Sequence, residues 1–494
     1  MPLPATTSSQ LPLFHVVGFT GHRVLADPKG VTTAIRTILG ELQREAPGEW
    51  IAQSSVAEGA DLIFVHAALD LKFGWEAVLP LPLSDFARDF LPERWKEVDQ
   101  LLKRAEHLEV AAEPGSRDEA YLTGGFEIVN NCDVLLAVWD GQPARGKGGT
   151  ADVVAYARAM GRPVVILNPD TKTVRRENFA ELRLHDTNLK FLNAVPGGAP
   201  VADGTSRARV AAFQQKVDDA ATHSSPHFRR LIALTLTLHV TATALATASL
   251  AFGWHWTALP WGKLLCLLGA LGVAMVVRFQ RTQHNWTRCR LAAEITRSAL
   301  AIWGLPRATR LFADFDWSGL EPLRRSLDVL HRRAAREAPS DFDTFKQGYL
   351  AGRIDDQRAY FARQEAKAIP LLGRLRFGFL VCSVAAIIFT TGYALNQTWG
   401  WPELPHTLVE VCFHFAPILL PVLAAAFISL ISINDLHRRV ARYREMCIRL
   451  ETVRRQIEHS QTWAGLERAI AKAERVLLQE VFEWHSITSF TESH

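Results

Sequence analysis

Residues 132–152 read CDVLLAVWDGQPARGKGGTAD: an apolar run ends at Asp140 and Gly141, and a glycine-rich turn then leads into Thr150 and Asp152. The turn is followed by ADVVAYARAMG, which has helical period. A strand that breaks into glycines ahead of a helix is a phosphate-cradling pattern. The first backbone N–H groups of a helix lack partners within it, they sit at its positive dipole end, and glycines let an anion come close. Within that turn Thr150 reads as the N-cap and Asp152 as a first-turn acid complementing the helix dipole.

Working outward, the same alternation of short β-rich runs and helix-length intervals extends from Phe14 to about Pro169. The candidate strands are FHVVGFT from Phe14, WIAQSS from Trp50, EAVLPL from Glu76, HLEVA from His107, DVLLAVW from Asp133 and PVVILN from Pro163. Strands this apolar on both faces predict a doubly wound, Rossmann-like parallel sheet covered by helices. Ligands in such folds sit beyond the carboxyl ends of the strands. Two further strand ends carry suggestive loops. In GFTGHR, Gly18 and Gly21 permit tight turns, and Thr20, His22 and Arg23 can donate to an anion. In SSVAEGAD, the candidates are Ser54, Ser55, Glu58, Gly59 and Asp61. With Asp140, Gly146, Gly148, Gly149 and Thr150 from the opening stretch, three strand ends of one sheet predict a ligand site.

The order GFTGHR, SSVAEGAD, NNCDVLLAVWDG and GKGGTADVVAYARAMGRPVVILN resembles the SLOG superfamily, the Rossmann-like group that includes the DNA-processing protein A and Lonely Guy phosphoribohydrolase families. The resemblance covers roughly residues 12–170 and implies a nucleotide or nucleotide-derived ligand. In the phosphoribohydrolase branch a glutamate follows the Gly-Gly-Thr turn and works on the ribose. Here the aligned position is Asp152, the one catalytic candidate, and the accompanying arginine has only Arg23 and Arg145 as candidates.

The 494 residues are too many for one core, and a soft prior of about 150 per domain predicts three units, at 1–200, 201–305 and 306–494. The six cysteines are scattered, with no CxxC pair or Cys/His cluster, so neither a metal site nor a disulfide framework is expected, and no cofactor is implied. The start, MPLPATTSSQLPLFHVVG, lacks the basic and apolar regions of a secretory signal, so the first domain is expected in the cytoplasm.

The second half is built for lipid. Four apolar stretches form two hairpins: Leu231–Gly253 with Leu259–Val277, and Phe377–Leu395 with Val411–Ile433. The first, at about 1.5 Å per residue, is long enough for hydrocarbon about 30 Å thick. Pro417 and Pro421 are expected to kink the last span. Trp254, Trp256 and Trp261 at one turn, and Trp399 and Trp401 at the other, suit an aromatic belt. Arg229, Arg230, Arg278, Arg281, Arg374, Arg376, Arg438, Arg439 and Arg442 flank the outer ends of the hairpins, whereas the two short turns hold only Lys263. By the positive-inside rule both termini are expected in the cytoplasm of a multi-pass inner-membrane protein. The net charge of +4 then reads as topology signal and lipid contact, and no nucleic-acid partner is expected. His239 and His414 lie within apolar stretches, which marks them as functional candidates.

The hairpins look like copies. WTRCRLAAEITR from Trp286 and YREMCIRLETVR from Tyr443 share an aromatic residue, then Glu294 or Glu451 eight positions later, then Arg297 or Arg454 three beyond. With the helical YLAGRIDDQRAYFARQEAKA from Tyr349, these features resemble the SLATT family of two-transmembrane domains, best over about 340–490 and more weakly over 205–300. That resemblance implies a pore-forming or membrane-perturbing effector of bacterial antiphage or conflict systems, and four helices per chain suggest a homo-oligomer. The expectation is a nucleotide-sensing head on a membrane effector, with the stretch Arg207–Ala221 passing the signal to the first span. The alternatives are a membrane-anchored nucleotide N-glycosidase or phosphoribohydrolase using Asp152, and a scaffold. The stretch from Arg307 to Ser340 reads only as helical and cytoplasmic.

Overall fold

The computed structural model describes residues 9–111, 116–143, 148–183, 186–198, 205–254, 256, 258–279, 282–305, 319–334, 341–399 and 405–490. Arg145, Gly146, Arg281 and Trp401, and the side chains of Arg229 and Arg278, lie outside them. The chain divides into two compact units, Met1–Phe213 with Leu305–Pro339, and Gln214–Gly304 with Ser340–His494.

The first unit holds the sheet. Its elements are β1 (Phe14–Gly21), α1 (Pro28–Glu45), β2 (Glu49–Ser54), α2 (Ala60–Asp70), β3 (Gly74–Leu79), α3 (Leu83–Phe86), α4 (Pro92–Arg104), β4 (His107–Val110), α5 (Arg117–Asn131), β5 (Val134–Val138), α6 (Thr150–Ala159), β6 (Val164–Leu167), β7 (Val174–Glu177) and α7 (Asp186–Ala194). The strand order is β4-β3-β2-β1-β5-β6-β7. Every pair is parallel except β6 with β7, so the expected doubly wound sheet is present with one antiparallel edge strand added. Chain direction across the sheet reverses between β1 and β5. Right-handed crossovers therefore put α1 and α2 on one face and α5 and α6 on the other, and each pair packs together.

Local chemistry explains the helices. Asp27 caps α1 by accepting from the Gly30 N–H at 2.9 Å, and Pro28 supplies a preset first residue. Val31, Ile35, Ile38, Leu39 and Leu42 then form a buried stripe at helical spacing. They meet Val17 and Phe19 of β1 in the main core, where Phe19 stacks on Phe64 of α2 with centroids 4.4 Å apart. Burying each such side chain contributes about 1.5–3 kcal/mol. On α5, Ser116 and Glu119 form a capping box.

A later segment completes this unit. Helix α11 (Glu321–Ala334) adds a row of cations and hydroxyls to the amino-terminal ends of the strands. Arg325 donates to Asp133 at 2.7 Å and to the Asn131 carbonyl at 3.1 Å. The Ser326 hydroxyl donates to the Pro12 carbonyl at 2.6 Å. Arg332 grips both carboxylate oxygens of buried Glu76, at 3.0 and 3.1 Å. Arg333 reaches Glu106 and Glu49 at 2.8 and 2.9 Å, with its guanidinium over the Phe14 ring.

The second unit is helical. Helix α8 (Ser206–Ala251) begins in the first unit and carries the chain into it, followed by α9 (Ala258–Phe279) and α10 (Thr282–Ala301). After α11 come α12 (Phe342–Tyr349), a π-helical turn at Leu350–Asp355, α13 (Asp356–Trp399), α14 (His406–Val409), a second π turn at Glu410–Phe415, α15 (Ala416–Ile433), α16 (Leu436–Glu458) and α17 (Trp463–Phe490). Among the described residues four helices are long and apolar enough to cross a membrane, as the hydropathy predicts. Pro417 sits in the first turn of α15, just behind a π turn, where its missing N–H costs least. A glycine lets the arms of the second hairpin approach: a Cβ at Gly378 would lie 2.8 Å from the Phe427 ring. Phe252 and Phe415 join the hairpins at their turn ends, with centroids 5.6 Å apart. Trp256, Trp261 and Trp399 are exposed there, as a belt requires.

Candidate functional site

The carboxyl ends of β1 and β5 are neighbours, with Thr20 opposite Ala137 and Gly21 opposite Val138. This is the point where the sheet reverses, the place where ligands bind in doubly wound folds. The His22 N–H extends the ladder to the Val138 carbonyl at 3.2 Å. Its Nε2 lies 3.2 Å from both the Asp140 N–H and Asp140 Oδ1. Neutral His22 accepts the backbone proton there, whereas protonated His22 donates to the carboxylate. Asp140 is held ionised by the Gln142 N–H, with the His22 ring beside it, both of which depress its pKa.

The loop after β2 is folded onto the loop after β1. Ala60 N–H donates to the His22 carbonyl at 3.1 Å. Gly59 has φ +95°, and a Cβ there would collide with the Arg23 backbone. Ser54 accepts from the Val56 N–H at 3.0 Å and donates to Asp61 Oδ1 at 2.7 Å, both side chains being buried. Burial pushes the Asp61 carboxyl up to about 7, against the Ser54 hydrogen bond and the charge of Arg23. Ser54 thus has its hydroxyl fully engaged inside the protein. Ser55 is half-buried, and exposed Glu58 is drawn to Arg94, 3.6 Å away, instead of to the crevice.

The turn before α6 corrects the expected cap. Gly149 is the N-cap and makes no side-chain bond, while Thr150 opens the helix and is nearly buried. No threonine hydroxyl therefore caps the first turn of α6. Asp152 reaches back to accept from the Gly148 N–H at 3.1 Å, so its carboxylate braces the turn. Gly148 has φ +82°, and a Cβ there would lie 2.8 Å from the Leu122 nitrogen of α5. Gly18 lies inside β1, where a Cβ would lie 2.6 Å from Ile128; its smallness admits α5 to the sheet.

Residues that local pattern did not reveal surround Arg23. Its guanidinium lies 5.1 Å over the Tyr121 ring of α5, and the Tyr121 hydroxyl donates to Asp89 at 2.6 Å. Arg117 also pairs with Asp89. These contacts hold exposed Arg23 against an aromatic face beside the β1 loop. The structure therefore brings His22, Arg23, Gly59, Asp61 and Asp140 into one linked set and leaves Glu58 and Gly18 outside it. An exposed guanidinium on one strand-end loop and a braced glycine turn on another suit an anionic ligand. Among the described residues no group of three metal-ligating side chains occurs.

Comparison with known proteins reaches the helical half. Residues 212–302 match the SMODS and SLOG-associating 2TM effector domain 3, and residues 349–484 match the SMODS and SLOG-associating 2TM effector domain 1. No curated protein matches the chain. The matches bracket the two hairpins separately, as their shared aromatic, glutamate and arginine spacing predicts. This is a membrane protein that joins a Rossmann-like sheet to two regions similar to SLATT effector domains.

Proposed function

We propose that the chain is a ligand-gated membrane effector: the crevice at β1 and β5 takes a nucleotide or other phosphorylated ligand, and the hairpins change bilayer permeability. The observation that carries this reading is the pairing in one chain of two regions similar to effector domains with a sheet whose reversal point lies between β1, which leads into His22 and Arg23, and β5, which leads towards the glycine turn before α6. The resemblance of GFTGHR and GKGGTADVV to SLOG motifs supports a nucleotide, and the company these effector domains keep supports a role in bacterial antiphage defence. The flanking arginines favour an inner-membrane protein with both termini in the cytoplasm. The head needs two arrangements that bind the ligand with different affinity, since equal binding shifts nothing. Asp152 braces the Gly148 turn, which favours sensing over glycosidic hydrolysis.

The test is dye release from liposomes holding the purified protein, with a panel of linear and cyclic nucleotides, while chromatography follows each nucleotide. Release with the nucleotide intact is the expected result. Nucleotide consumption without release overturns the proposal in favour of an anchored enzyme.

A further inference from the structure

Helices α13 and α16 meet where the second hairpin leaves the membrane. Phe377 opens the apolar stretch of α13, and α16 begins at Leu436, just after Ile433 closes that of α15. Asp435, with φ +47°, turns the chain between α15 and α16, and Leu436 is buried with Leu372 and Ile431. The next residue is thereby carried onto α13, and Arg376 donates from Nη2 to His437 Nδ1 at 2.8 Å. A guanidinium has donors only, so the imidazole accepts and is neutral, with its own proton on the other ring nitrogen. Arg374 on one side of this pair and Arg438 and Arg439 on the other add further positive charge.

The protein hardly answers that charge. Among the described residues the one carboxylate within ion-pair reach of these arginines or of His437 is Asp435, 3.9 Å from Arg438, and both of those side chains are largely exposed. Three arginines farther from the spans on the same helices are closely paired: Arg358 with Glu451 at 2.8 Å, Arg454 with Asp355 at 2.9 Å and Arg444 with Glu365 at 3.0 Å. The unanswered group lies at the ends of the spans, where a bilayer places its phosphates. An arginine that merely snorkels needs no partner, whereas Arg376 is fixed against the imidazole. Leu380, Val384 and Ile387 follow Arg376 along one side of α13, and all are exposed, so an apolar track runs from the cations into the hydrocarbon.

We infer that this corner of the second hairpin is a binding site for an anionic phospholipid. Its phosphate is taken by Arg376 and the ring N–H of His437, with Arg374 and Arg438 adding charge, and an acyl chain lies along Leu380, Val384 and Ile387. A guanidinium beside an imidazole N–H presents donors alone, which suits a phosphodiester. Phosphatidylcholine brings its own ammonium to a place already rich in cations, so a lipid of net negative charge is preferred. The site stands whether or not the head takes a ligand.

Native mass spectrometry decides this, on full-length protein in detergent offered equal amounts of phosphatidylglycerol and phosphatidylcholine with the same acyl chains. The unsubstituted protein is expected to retain phosphatidylglycerol several-fold over phosphatidylcholine. Arg376→Gln with Arg438→Gln is expected to weaken phosphatidylglycerol retention by about fivefold per arginine. Arg444→Gln with Arg449→Gln deletes the same charge from paired positions and is expected to leave retention unchanged. Equal retention of the two lipids by the unsubstituted protein overturns the inference, as does a preference that survives the first double variant or falls equally in both. Excess inorganic phosphate separates the two sources of the anion: the lipid is expected to stay bound, and its displacement overturns a lipid site in favour of a soluble phosphate.

Discussion

Arg353, on the π-helical turn Leu350–Asp355, grips both carboxylate oxygens of Glu474 on α17, at 2.9 and 2.7 Å. Both side chains are buried, the Tyr349 hydroxyl donates to the same carboxylate at 2.7 Å, and Arg353 also donates to the Ser298 hydroxyl of α10 at 2.8 Å. One guanidinium therefore joins both effector-like regions. Removing one member of a buried pair strands the other charge, at about 3–5 kcal/mol. Glu474→Leu is expected to lower the melting temperature by about 10 °C in detergent, read by tryptophan fluorescence. Adding Arg353→Met is expected to recover most of that loss, since an apolar replacement of both partners leaves no orphan charge.

The sheet depends on α11 in the same way. Glu76 is buried in β3, and Arg332 is its cation. Arg332→Ala is expected to destabilise the α/β unit by about 3 kcal/mol, and Glu76→Gln in the same chain to restore part of it. Urea unfolding of the full-length variants measures both.

Asp61 makes the unit sensitive to pH. Its folded carboxyl titrates at about 7, against 3.8 for an ordinary aspartate. Between those values the folded protein keeps a proton that the unfolded chain has lost. Stability from this group is full below about pH 4, falls as pH rises, and is gone above about pH 7. Asp61→Asn keeps an acceptor for Ser54 and cannot ionise, so it is expected to be more stable than the parent at pH 8 by about 2–4 kcal/mol and equal at pH 4. Denaturant midpoints at the two pH values decide this.

The glycines of the crevice separate strain from collision. Gly59 and Gly141 both have positive φ, but a Cβ at Gly59 meets the Arg23 backbone, whereas one at Gly141 meets nothing within 4 Å. Gly141→Ala is expected to cost about 1 kcal/mol, and Gly59→Ala about 3 kcal/mol with loss of ligand-dependent dye release. Release assays and thermal melts on the same preparations read both effects.

Six of the seven strands were legible because their apolar runs are local signals. The seventh, β7, reads VRRE, and its register comes from Leu167 and Val164 on β6 instead of any period of its own. The glycine turn was legible as a turn, but its capping was not: Thr150 is pulled into the interior by packing, which leaves Gly149 outside as the cap. Least visible was α11. Its arginines carry no label distinguishing a topology signal from the counter-charges of Asp133, Glu76 and Glu49, which lie 192, 256 and 284 residues away. A carboxylate inside an apolar strand, such as Glu76, announces that a cation must come; only tertiary structure says from where.

Because α11 lies between the two effector-like regions in sequence yet folds with the sheet, the chain crosses between its compact units three times. No single proteolytic cut can set the head free, and no exchange at one junction can replace it. A foreign head grafted in place of residues 1–213 would leave Arg325, Arg332 and Arg333 facing strands that lack their carboxylates. A transplant of the head would have to carry residues 305–339 along with 1–213.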